Sequence, residues 1–172
     1  MAYTYSKIAT YTVGSGGIAT VSFLNIPQTY TDLVVKISAR YNDASVLGRF
    51  RFNGDTGSNY SNRRLYGTGS SVASNNDSAQ TSSYAFGLND ASNYTANTFS
   101  NAEFYIPNYT SSNYKSISID GVTENNAIEA YSTLQAGLWS STAAINSITI
   151  YQDSGLFVQY STFHLYGIKA EI

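Results

Sequence analysis

Residues 32–40 read DLVVKISAR. Leu33, Val35, Ile37 and Ala39 fall on one side of an extended chain, with Asp32, Lys36, Ser38 and Arg40 on the other. Alternation with period two is what a strand with one buried face requires, and a helix cannot use it. The same rhythm returns along the chain. Phe50 and Phe52 alternate with Arg49 and Arg51; Ala102, Phe104 and Ile106 with Glu103 and Tyr105. Ile117 and Ile119 alternate with Ser116, Ser118 and Asp120, and Ile148 and Ile150 with Thr149 and Tyr151. Less regular candidates lie at 3–13, 18–24, 63–66, 84–88, 129–138, 156–160 and 163–168. About a dozen strands at roughly 8–12-residue spacing is the rhythm of a sandwich or barrel. The reading is all-β: a single antiparallel β-sandwich over residues 1–172, with residues 1–13 as an N-terminal arm or edge strand.

Composition agrees. Of 172 residues, 58 are Ser, Thr or Asn and 16 are Tyr, whereas Lys and Glu number only four each. Helix surfaces are built from the types that are scarce here, and turns and strands from those that are abundant. One stretch is ambiguous. In residues 123–139, TENNAIEAYSTLQAGLW, Ile128, Tyr131, Leu134 and Leu138 fit helical steps. Ile128, Ala130, Ser132 and Leu134 fit one face of a strand equally well, and the surrounding β-structure favours the strand. Residues 67–83, GTGSSVASNNDSAQTSS, carry almost nothing bulky and apolar and read as a long exposed polar loop.

Several functions are disfavoured at once. The chain has no cysteine, so a thiolate nucleophile, a disulfide framework and a thiolate zinc site are excluded. A formal net charge of −2 argues against nucleic acid as a partner. Residues 1–12, MAYTYSKIATYT, place hydroxyls where a secretory leader needs an apolar run, so the expectation is a chain made without an export signal. No run of apolar residues suffices for a membrane helix, and no membrane partner is expected. His164, the only histidine, lies in an apolar strand and reads as structural. Glu103, Asp120, Glu124 and Glu129 offer carboxylates, yet no spacing singles out an acid/base pair. Residues 53–57, NGDTG, supply oxygen ligands but lack the alternating acids of a calcium loop, and read as an Asx turn. The expectation is a protein without enzymatic activity, metal or cofactor.

Interaction residues stand out better. Four of the five arginines, Arg49, Arg51, Arg63 and Arg64, fall within sixteen positions, and a hairpin could gather them into a fork for carboxylates of a neighbouring subunit. An Asn-Tyr tag recurs at 59–61, 93–95 and 108–110, with Asn113-Tyr114 close behind. Tyr60, Tyr94, Tyr109 and Tyr114 therefore read as turn residues available for contact, a role suited to an apolar ring with a polar tip. These eight residues are the candidate interface.

Residues 49–67 (RFRFNGDTGSNYSNRRLYG), 102–126 (AEFYIPNYTSSNYKSISIDGVTENN), 136–150 (AGLWSSTAAINSITI) and 158–168 (VQYSTFHLYGI) together resemble a group of tailed-bacteriophage virion proteins found in phages of cyanobacteria and other aquatic bacteria. FNGDTGSNYS and IPNYTSSNYKSI are the most specific pieces, and the resemblance covers residues 3–168. It implies a jelly-roll-like sandwich displayed on the virion. The leading expectation is a capsid decoration (cement) protein, a homotrimer bound to the major capsid protein on the capsid surface after assembly in the host cytoplasm. The alternative is a tail-fibre or receptor-binding module that recognises host-surface glycans through its loop tyrosines.

Overall fold

The chain crosses repeatedly between two antiparallel sheets. The computed structural model describes residues 3–44, 47–88, 90–126 and 130–170. Its larger sheet is built from β1 (Tyr3–Thr12), β3 (Asp32–Ala39), β5 (Tyr60–Gly67), β6 (Val72–Gln80), β8 (Ser100–Ile106), β9 (Lys115–Thr123), β10 (Tyr131–Trp139) and β12 (Thr162–Ala170). They run in the order β1-β12-β3-β8-β9-β10-β5-β6. The smaller sheet holds β2 (Thr20–Phe23), β4 (Gly48–Phe52), β7 (Ser83–Tyr84) and β11 (Ile148–Gln152), in the order β2-β11-β4-β7. The all-β sandwich is as the sequence reads. Among the described residues the strands divide into eight and four.

Alternation in the sequence becomes burial in the fold. β9 is buried at every second residue from Lys115 to Thr123, and β8 follows the same pattern. Phe50 and Phe52 of β4 enter the space between the sheets, where Phe50 meets Phe104 at 5.0 Å and Phe52 meets Trp139 at 5.5 Å between ring centroids. Each fully buried aromatic of this kind contributes about 1.5–3 kcal/mol of transfer free energy. Trp139 is fixed further by its indole N–H, which donates to Asp55 Oδ2 at 2.7 Å.

Three sequence expectations change. Residues 67–83 are not a loop: β6 pairs with β5 from Gly67↔Val72 to Tyr60↔Gln80 and forms the edge of the large sheet. A strand that is polar on both faces leaves no periodic signal, since its backbone hydrogen bonds, not its side chains, hold it. Residues 156–160 are not a strand; Phe157 makes only isolated bridges to Ile18 and Tyr41. Residues 84–88 are strand only at Tyr84, the end of β7. β10 is the strand that the sequence favours, with Ser132 and Leu134 on its exposed face and Thr133 and Gln135 on its buried one. Ile128 and Glu129 fall outside the described residues.

Both edges of the large sheet are bulged. In β1, Lys7 pairs with Tyr166 and Ala9 with Leu165, leaving Ile8 as the extra residue. In β6 the register slips between Asn62↔Asp77 and Tyr60↔Gln80, where Ala79 adopts a left-handed φ of 53°. Bulges twist an edge away from a flat partner, a common defence against uncontrolled strand pairing.

Candidate interaction face

The four clustered arginines do not form one surface. Arg49 and Arg51 share the outer side of β4, as spacing by two requires, because Phe50 and Phe52 take the inner side. Arg49 binds Asp153 at 2.6 Å and lies 4.3 Å from the centroid of the Tyr84 ring, its registered neighbour on β7. Arg51 lies 4.9 Å from the Tyr151 ring and donates to the Thr81 carbonyl at 2.9 Å. Adjacent residues on a strand point to opposite faces, and this separates the other two. Arg64 turns inward, paired with Asp77 at 2.5 Å and lying 5.1 Å from Tyr84 and 4.8 Å from Phe86. Arg63 turns outward, is exposed, and makes no ion pair among the described residues. Of the expected fork, Arg49 and Arg64 converge on one tyrosine inside the domain, and only Arg63 stays free for a partner.

The tyrosines are divided as well. Tyr60 is the first residue of β5, not a turn residue, and is 1% exposed; its ring stacks near Trp139 and its hydroxyl accepts from the Phe52 amide at 3.0 Å. Burial pushes the Tyr60 hydroxyl well above its ordinary pKa. Tyr109 does lie in a turn, opened by Asn108 at a φ of 49°, but its ring is buried and its hydroxyl donates to the Pro27 carbonyl. Tyr94 precedes β8 whereas Tyr109 follows it, so they sit at opposite ends of the sheet. Arg40, the arginine outside the cluster, clamps the Tyr94 loop by donating to the carbonyls of Tyr94, Thr95 and Thr98 at 2.8–3.1 Å. Tyr114 is 59% exposed beside β9, and Tyr94 is half-buried.

The remaining chemistry is mostly internal. Asp55 of the NGDTG turn accepts from Trp139, from Asn59 Nδ2 at 2.8 Å and from the Gly57 amide at 2.8 Å, as an Asx turn does. The described residues contain no group of three His, Cys, Asp or Glu placed to hold a metal. His164 shares a hydrogen bond with Thr10 across β1 and β12. Glu103 stands opposite Asp120 across β8 and β9 and is bound to Lys36 at 2.8 Å.

A different surface emerges on the outer side of β9, β10 and β5. Leu65 and Leu134 are registered partners, 51% and 60% exposed, with Val122 at 47% on the adjoining strand. Their outward orientation follows from what covers the inner side. Beneath β9, β10 and β5 runs segment 84–88, the end of β7 and the irregular residues that follow it, whose carbonyls need donors once buried. Thr133 supplies one to Phe86 at 3.2 Å, Thr123 one to Gly87 at 2.9 Å, and Gln135 one to Tyr84 at 2.7 Å. With donors required inside, the apolar residues of β10 fall outside. The outer surface carries two adjoining grooves, of about 450 and 370 Å³, both lined by Arg63, Asn76 and Ala136. Period alone could not reveal this, because alternation separates the two faces of a strand without saying which one is buried.

No family model matches the chain, and no curated protein matches it.

Proposed function

We propose that the protein is a virion structural protein, a capsid decoration protein that works by surface contact and carries out no chemistry. The observation that supports this reading is the outward apolar face of β5, β9 and β10, ringed by polar residues around Arg63. Contiguous exposed apolar surface with a polar rim is characteristic of a site that another macromolecule covers. Behind that face Arg64 is held by Asp77 and by the rings of Tyr84 and Phe86, which fixes the strand that presents it. The sequence resemblance supplies the setting, a phage capsid and its major capsid protein.

The test is occupancy. Purified protein added to heads that lack it should bind at hundreds of copies per particle. Leu134→Asp should lower that occupancy at least tenfold while leaving the unfolding midpoint unchanged, since Leu134 makes no contribution to the core. Unaltered occupancy would overturn the reading.

A tail-fibre or receptor-binding role is favoured by one observation, the exposure of Tyr114 and Tyr160 at 59% and 70%. Such rings suit stacking on sugars. That role predicts a few dozen copies per virion or fewer, and retention on host polysaccharide that Tyr114→Ala and Tyr160→Ala abolish.

A further inference from the structure

We propose that the occupant of the outer β5–β10 face is a second copy of this chain, docked about a two-fold axis. This rests on the reading of that face as an interaction surface and names the partner: the two-fold dimer, in place of the trimer that the resemblance implies, is the unit that binds the shell, and Leu134→Asp lowers occupancy by breaking that dimer. Flanking Leu134 and Ala136 at the centre of the face stand a cation, Arg63, and an anion, Asp120, both exposed and without an ion-pair partner among the described residues. They lie on opposite sides of β10: Asp120 is registered with Leu134 across β9–β10, and Arg63 with Ala136 across β5–β10. An isologous contact demands this arrangement, because each half must present the complement of itself.

The register specifies the geometry. With strands about 4.8 Å apart and about 3.4 Å of rise per residue, the midpoint between Arg63 and Asp120 falls on β10 between Leu134 and Ala136. A two-fold axis lying in the interface through that point sets Arg63 against the partner's Asp120, and Asp120 against the partner's Arg63. The same rotation brings Leu65 beside the partner's Leu134. Two ion pairs then flank a four-leucine centre, which removes from water the most exposed leucines of the sheet face. A single-sign rim would have argued for a foreign surface. Opposite charges at positions that a two-fold exchanges favour self-association.

Light scattering on the full-length chain across the micromolar range tests this. The wild type should be a dimer. Arg63→Asp and Asp120→Arg should each weaken association at least tenfold in Kd, the scale of a close interfacial charge pair. Mixed in equal amounts, the two variants should dimerise again, because opposite charges then face each other at both contacts. The double variant Arg63→Asp/Asp120→Arg should dimerise alone. A wild-type monomer or trimer, or a dimer indifferent to both reversals, overturns the proposal. If the wild type is monomeric and Leu134→Asp still loses the capsid shell, the two-fold contact fails and the decoration reading stands. A charge-rescued dimer that never binds shells gives the reverse.

Discussion

Gly121 of β9 and Gly87 of the covering segment meet backbone to backbone: a Cβ on Gly121 would stand 3.0 Å from the Gly87 Cα and 3.1 Å from the Phe86 carbonyl. That approach lets segment 84–88 lie flat on the inner sheet face, within reach of the donors on Thr133 and Gln135. Gly121→Ala should therefore cost about 1–3 kcal/mol, the scale of overpacking a tight contact. Equilibrium urea denaturation would show it as a lowered midpoint with an unchanged slope. Gly137→Ala is the control on the neighbouring strand, where the added carbon meets nothing closer than 3.6 Å.

Arg63 and Arg64 should separate cleanly in stability. Arg64 is 11% exposed, pairs with Asp77 and packs against two aromatic rings. Arg64→Ala leaves Asp77 and Asn62 short of a donor, and should destabilise by roughly 2–4 kcal/mol. Arg63→Ala changes an exposed side chain and should stay within about 0.5 kcal/mol. Thermal unfolding of the two variants side by side decides whether the face assignment of β5 is right. Equal losses would contradict it.

Much of the fold was legible in the sequence wherever a strand has one face on an apolar core. β3, β4, β8, β9 and β11 announce themselves because water and core sort their side chains by period two. β6 does not: neither face of VASNNDSAQ is buried against apolar side chains, so nothing sorts its residues. β10 was legible as a strand but not as to which face is buried, because its inner neighbour is a stretch of backbone carbonyls rather than a second layer of side chains. The arginine cluster misled for a related reason. Closeness in sequence brings strands together, but the alternation within β5 sends Arg63 and Arg64 to opposite sides. Nothing in the sequence marks Tyr84 as the ring that takes up Arg49 and Arg64.

Tyr160 adopts a φ of 73° while remaining 70% exposed, so a bulky side chain holds a left-handed conformation with little packing in return. An L-residue there is disfavoured by roughly 1–2 kcal/mol, a cost that glycine avoids. Tyr160→Gly should raise the unfolding temperature by a few degrees, less the entropy that glycine adds to the unfolded chain. Differential scanning calorimetry reads the gain. If the same variant also loses retention on host polysaccharide, the strain is kept for the ring, and the receptor-binding role gains over decoration.

Two carboxylates should pull stability in opposite directions with pH. Trp139, above all, holds the Asp55 carboxyl below its ordinary value, helped by Asn59 and the Gly57 amide. Its contribution is present above the unfolded pKa of about 3.9 and is lost as pH falls through the lower folded value. Asp90 is the reverse. Burial raises its pKa, against the opposing pull of Thr98 and of Arg40 at 3.7 Å, and its Oδ2 finds no donor among the described residues. Its contribution is complete below about pH 3.9 and declines as pH rises through the raised folded value. Relative to the wild type, Asp90→Asn should thus fare worst near pH 3 and best near neutrality. Asp55→Asn should lose about 1.5–3 kcal/mol at neutral pH, the worth of a charged hydrogen bond to the indole, with the deficit shrinking in acid. Urea midpoints for both variants between about pH 3 and 7 measure the two slopes. Parallel slopes would mean that the two carboxylates share one environment, contrary to the exposed turn of Asp55 and the closed interior around Asp90.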